Sequence, residues 1–153
     1  MSRFIGVKSM EAEKQRSLIP TGAYEKDSPG YSVVYPDGHT AWCPEKVFEK
    51  YNFPIVGEHN TISETDVNNM MQSIAVSLVS VPDSINKITI VICTLVNGFT
   101  LTESSTCVDP ANYNEEIGRD ICLAKIKDKI WFLLGFLLQS ASYGFGSNKK
   151  EEI

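Results

Sequence analysis

The side chains best suited to chemistry lie in the last third of the chain, and the chemistry they suit is binding. Arg119 carries a planar guanidinium that can clamp a pyrophosphate through two parallel hydrogen bonds. Asn112 and Asn114 fall where a helix is expected to begin. Free backbone N–H groups and the helix dipole favour an anion at such a place. Thr100, Thr102, Ser105 and Thr106 offer hydroxyls for ribose or phosphate on one side of a strand and its loop. Phe99, directly after Asn97-Gly98, can stack on an adenine.

Each of these residues also has a plainer role open to it. Arg119 can pair with Glu115 one turn back, worth only about 0.3–0.5 kcal/mol on an exposed helix. The asparagines can simply cap the helix, Asn114 above all. Phe99 can pack across strands, and the hydroxyls can form a solvated sheet face.

Catalysis finds no comparable set. The chain has no G-x-S-x-G elbow, P-loop or H-E-x-x-H motif. His39 follows a turn glycine and His59 lies in a linker. Cys107 stands near Asp109, but no histidine is close to it in sequence. Cys43, Cys93, Cys107 and Cys122 form no C-x-x-C pair, so free thiols of a reducing compartment are expected rather than a zinc site. No enzyme, metal or cofactor is expected.

The chain has 153 residues and a formal net charge of −5, with a pI near 5.0. That leaves no basic stripe for a nucleic-acid backbone. The only arginines are Arg3, Arg16 and Arg119, so an anionic ligand would depend on few donors. The first residues lack the basic and apolar regions of a signal peptide. The apolar run Ile130–Leu138 is far shorter than the roughly 20 residues of a membrane span. A soluble intracellular protein with no membrane partner is expected.

The elements that must position these residues read as an α+β protein of two modules. Arg3–Met10 alternates imperfectly and suggests an opening strand, and 11–29 reads as a long surface loop, helical at most at its start. Two β-rich runs flank Asp37-Gly38, a hairpin signal because these residues accept the positive φ of a tight turn. A short helix follows to Tyr51, with Pro44 at its first position. Residues 1–53 thus make a hairpin-plus-helix module. After a linker over 52–61, Ser63 and Asp66 form a capping box for a helix ending near Ser73.

The second module covers 62–143. It contains a strand over 74–81, a turn at Pro82-Asp83-Ser84, a strand over 88–96, and a return strand after Asn97-Gly98. That return strand sets Phe99 and Leu101 on one face and Thr100 and Thr102 on the other. Asp109-Pro110 is expected to open a long last helix that fades at 140–144, with a frayed tail over 144–153. Ile117, Ile121 and Ala124 trace one apolar face of it, and Cys122, Ile126, Ile130, Leu133 and Leu137 an overlapping one. From Ile130 to Leu138 the helix is apolar all round, which calls for a cover. In so short a chain that cover is a second copy, so a homo-oligomer, dimer or higher, is expected.

The segments Asn97-Gly98-Phe99-Thr100, Cys107-Val108-Asp109-Pro110-Ala111-Asn112-Tyr113, Glu116-Ile117-Gly118-Arg119 and Lys129-Ile130-Trp131 resemble a family of small accessory proteins of tailed bacteriophages. The likeness runs from Ile62 to Gln139. The first half, through Phe4-Ile5-Gly6-Val7-Lys8, Gly30–Gly38 and Trp42–Phe48, looks like a second phage module found ahead of small anti-defence domains. Together they resemble the Thoeris anti-defence sponges, which hold a cyclic ADP-ribose signal of host immunity and destroy nothing. The resemblance implies an oligomer in the host bacterial cytoplasm with a nucleotide-type signal buried near each subunit interface. It favours the ligand role of Arg119. Members of the family place a second basic residue one turn after this arginine, where this chain has Leu123. That departure shifts weight to Lys125 or to another subunit. A protein-interaction adaptor without a small ligand and a hydrolase of the signal are the alternatives.

Overall fold

The computed structural model describes residues 2, 3, 5, 7–82 and 86–146. It is an α+β fold of two three-stranded antiparallel sheets, short helices and one long helix. The chain divides into two compact units, Met1–Ile55 with Leu137–Ile153, and Val56–Phe136.

In the first unit the sheet order is β1 (Glu11–Lys14), β2 (Gly30–Val34), β3 (Thr40–Pro44). The β2–β3 hairpin turns at Gly38, φ +80°, and the Asp37 carboxylate accepts the His39 N–H at 3.0 Å. Of the expected loop, 15–29 forms no helix or named strand, and strand β1 replaces the first four residues. All four of its residues are exposed, so no apolar alternation marks it, and pairing with β2 from Glu11↔Val34 to Lys14↔Tyr31 creates it. The expected opening strand over Arg3–Met10 is absent among its described residues; Phe4 and Gly6 lie outside them. Gly30 is required where β2 passes Trp42, because a Cβ there would stand 2.5 Å from the indole ring and from the Cys43 carbonyl. Helix α1 (Glu45–Tyr51) follows β3 directly, so Pro44 closes the strand and stands at the N-cap position, without a capping hydrogen bond, rather than opening the first turn. Phe48 stacks on Tyr31 with ring centroids 4.3 Å apart, and Lys14 pairs with Glu45 at 3.0 Å.

In the second unit, helix α2 (Glu64–Met70) has the capping box at Ser63 and Asp66. Asp66 is buried, and its carboxylate accepts from the N–H groups of Val56 (2.6 Å), Gly57 (3.1 Å) and Ser63 (2.7 Å) and from the Ser63 hydroxyl (2.7 Å). Burial favours the neutral acid, but these donors outweigh it and hold the carboxyl below the ordinary aspartate range. The segment 52–61 is thus tied down at Val56 and Gly57. Helix α2 stops at Met70, short of Ser73, because the backbone turns extended at Met71 and begins pairing with the next strand.

The second sheet has the order β4 (Met71–Ser80), β5 (Lys87–Leu95), β6 (Thr100–Thr106). Of the turn expected at Pro82-Asp83-Ser84, Asp83 and Ser84 lie outside the described residues. One face of β5 is fully covered, with Thr89, Val91, Cys93 and Leu95 buried. Helix α3 (Glu115–Tyr143) buries Gly118, Cys122, Ile126, Ile130 and Leu134, a stripe at four-residue spacing. Ile117 and Ile121 stay 58% and 44% exposed, because the helix turns the small residues Gly118 and Cys122, one position on, toward β5. Leu134, rather than Leu133 or Leu137, continues the stripe because burial steps by one helical turn.

Three successive lysines hold α3 in this unit: Lys125 donates to the Ser104 carbonyl at 3.2 Å, Lys127 pairs with Glu64 at 3.6 Å, and Lys129 pairs with Glu103. The Lys129 ammonium holds the Glu103 carboxyl below its usual range. Helix α3 ends at Gly144, φ +71°, whose N–H donates to the Ser140 carbonyl at 2.8 Å. Of the tail over 144–153, only 144–146 are described. No helix among the described residues is long and apolar enough to cross a membrane.

Candidate functional site

The long helix does not begin at Asp109. The Asp109 carboxylate caps a 3-10 turn over Pro110–Asn112, accepting the Ala111 N–H at 2.9 Å. Asn114 caps α3 itself, its side-chain oxygen accepting the Ile117 N–H at 3.1 Å. The break falls at Tyr113, whose backbone is extended (φ −64°, ψ 125°), so the chain re-enters helix with a fresh cap at Asn114.

Between these two turns and the end of β6 lies a recess of about 120 Å³. It is lined by Ser105, Thr106 and Cys107 on one side and by Asn112, Tyr113, Asn114, Ile117, Gly118 and Ile121 on the other. Its lining is mostly apolar, through Ile117, Ile121 and the Tyr113 ring, with hydroxyls, amides and a thiol among them and no charged side chain. Tyr113 is anchored by a 2.7 Å hydrogen bond between its hydroxyl and that of buried Thr89. The Lys87 ammonium stands 5.6 Å from the Tyr113 ring centroid. Glu115 and Glu116 occupy the first turn of α3, so the positive end of the dipole already faces carboxylates. An anion at this helix start would therefore need a cation beside it.

Arg119 follows Gly118 of the recess lining. It is exposed and has no hydrogen-bond or ion-pair partner among the described residues. The pair with Glu115 does not form. Lys125, by contrast, is engaged with the β6 backbone.

Within one chain the expected ligand residues do not share a single place. Ser105, Thr106 and Asn112 meet in the recess. Phe99, Thr100 and Thr102 do not: Thr100 lies six residues up β6 from Thr106, roughly 20 Å at about 3.3 Å per residue. Phe99 is 55% exposed on the β5–β6 turn, its N–H donating to the Asn97 side chain at 3.0 Å. The hydroxyls also divide between the two faces of the sheet. Strand β6 continues through Thr106, so Ser105 shares the helix side with Leu101 and Glu103, and Thr100, Thr102 and Thr106 share the other.

Sequence reasoning passed over Tyr113 and the packing role of Gly118. An aromatic directly before a capping asparagine was the available signal for the first. Nothing local marks the second, since its neighbour Thr89 is 29 positions away. Burial pushes the Cys43, Cys93 and Cys122 thiols up, as inert free cysteines require. No group of three or more His, Cys, Asp and Glu among the described residues is arranged to hold a metal ion.

Residues 53–142, more than half of the chain, match the family described as Phage protein (N4 Gp49/phage Sf6 gene 66) family. No curated protein and no solved structure matches the chain.

Proposed function

Because the chain belongs to this bacteriophage protein family, we propose that it is an anti-defence sponge of the Thoeris type. In this reading it binds a cyclic ADP-ribose-type nucleotide in the host bacterial cytoplasm and releases it unchanged. The observation that carries the reading is a recess whose lining includes Ser105, Thr106, Asn112 and Asn114, with Arg119, which has no partner among the described residues, one position after its Gly118 in a chain of net charge −5. Arg119 meets the pyrophosphate, while Ser105 and Asn112 meet ribose hydroxyls.

At about 120 Å³ this recess is well below the roughly 300–1,000 Å³ of small-molecule sites, so it does not by itself enclose a dinucleotide. A second copy completes the pocket and brings its own Phe99, Thr100 and Thr102 to the ligand. Phe132, 75% exposed on α3, supplies an apolar surface for assembly.

An adaptor role is the second reading, favoured by Leu18 and Ile19, which stand 72% and 68% exposed in the first unit. One experiment separates the readings. The protein is incubated with cyclic ADP-ribose isomers and desalted, then heated and the supernatant analysed by mass spectrometry. Intact nucleotide supports the sponge, altered nucleotide supports hydrolysis, and no uptake returns the protein to an adaptor.

A further inference from the structure

Strand β4 forms an open edge of the second sheet. The order β4-β5-β6 leaves its far side without a strand partner among the described residues. Nine of its ten residues are exposed, and Ile74, Val76, Leu78 and Val79 are each 37–46% exposed. The strand reads MQSIAVSLVS, with no charge and no proline. Those are the devices that edge strands use to repel other strands. The opposite edge, β6, carries a charge: Glu103 is paired with Lys129, and Lys125 takes the Ser104 carbonyl. The two edges of one sheet are therefore treated differently, and β4 is the one left open to pairing.

The register with β5 assigns the faces. Ile74, Val76 and Leu78 pair with Cys93, Val91 and Thr89, so they lie on the helix-covered face, beside its buried row. Ala75, Ser77 and Val79 lie on the other. From Ile74 to Leu78 the order is large, small, large, small, large. It reads alike in both directions, which suits an antiparallel two-fold partner of the same sequence. An uncharged edge also offers nothing that would select a partner of opposite charge.

We propose that β4 pairs antiparallel with β4 of a second copy of this chain about a two-fold axis at Val76, joining two three-stranded sheets into one of six strands. In that register Ile74 faces the second copy's Leu78, and Ala75 faces the second copy's Ser77. A register centred on Ser77 would instead set Ile74 against Ser80 and Ala75 against Val79, matching large with small. The inference goes beyond the nucleotide reading and does not depend on it, because the interface needs no ligand.

The test is a charge exchange across the axis, read as particle mass by light scattering. Ile74→Lys alone and Leu78→Glu alone each set a charge against an apolar partner twice per pair, and each is expected to halve the mass. Combined in one chain, the two substitutions place opposite charges face to face, and the mass of the parent chain returns. A monomeric parent, unchanged mass in the single variants, or a combined variant no heavier than either single variant overturns the proposal. Deuterium exchange of the parent chain needs no substitution. Protection of the β4 amides that falls on dilution supports the edge pairing; exchange equally fast at all concentrations overturns it. Nucleotide uptake is assayed separately, so its failure bears on the sponge reading and leaves the mass result standing.

Discussion

Gly118 lies directly against Thr89: a Cβ built on Gly118 would stand 2.5 Å from the threonine hydroxyl oxygen and 3.1 Å from its Cβ. That hydroxyl is buried and tied to Tyr113, and a β-branched side chain has few other rotamers. The start of α3 is therefore seated on β5 through the absence of a side chain. The Cys122 thiol donates to the Thr89 carbonyl at 3.8 Å one turn later.

Gly118→Ala is expected to destabilise the protein. Alanine gains about 1 kcal/mol over glycine in helix propensity. Overpacking against a fixed neighbour costs about 1–3 kcal/mol, and the buried site puts it toward the upper end. Thermal denaturation should show a lower Tm, and adding Thr89→Ala, which removes the obstructing oxygen, should recover part of it. An alanine variant at least as stable as the parent would falsify the close-contact account.

Asp66 gives the fold an acid limit. Its folded pKa lies below the ordinary aspartate value, so its stabilising contribution is complete above the unfolded pKa of about 4. That contribution is lost as pH falls from there through the folded pKa. Urea midpoints should be insensitive to this group between about pH 5 and 7 and should fall below about pH 4. Asp66→Asn, which cannot accept from all four donors, should cost about 2 kcal/mol or more at neutral pH and flatten the acid limb. An acid limb of unchanged steepness in that variant would assign it to other carboxylates.

Arg119→Ala should leave stability and assembly unchanged, since the guanidinium has no partner among the described residues. Loss of a charge-assisted phosphate contact is worth about 1.5–3 kcal/mol, so affinity for a cyclic ADP-ribose isomer should drop roughly 10- to 150-fold. Arg119→Lys should restore only part of it, because a point charge lacks the two-pronged geometry. Calorimetry reads this directly; equal affinity in parent and alanine variant removes Arg119 from the site.

Phe132→Glu tests assembly through α3. The ring is 75% exposed in the single chain, so the variant should keep its circular dichroism while its particle mass decreases. If the mass holds, the apolar end of α3 is not an interface.

Several elements were legible because their determinants are local. Asp37-Gly38 and Asn97-Gly98 turn where a backbone with positive φ is needed, and Gly38 and Gly98 adopt +80° and +84°. Ser63 and Asp66 cap a helix three residues apart, a pattern complete within one turn. Asp66's bonds to Val56 and Gly57 were not legible, since they depend on how 52–61 folds back. Strand β1 was not legible either: Glu11–Lys14 has no apolar alternation and becomes a strand only by meeting β2.

The candidate site divides in the same way. Residue types alone marked hydroxyls, amides and one arginine as binding groups, because hydrogen-bonding capacity belongs to the side chain. Which of them meet was decided by tertiary structure. A strand is straight, so Thr100 and Thr106 end up at opposite ends of β6. It alternates, so Ser105 and Thr106 face opposite ways. Which stripe of α3 is buried was settled by shape: Gly118 and Cys122 let the helix approach β5 closely, and Ile117 and Ile121 were left outside. Sequence thus determined the chemistry on offer and the local turns and caps. Distance between elements and the close packing of small residues determined which groups share a place.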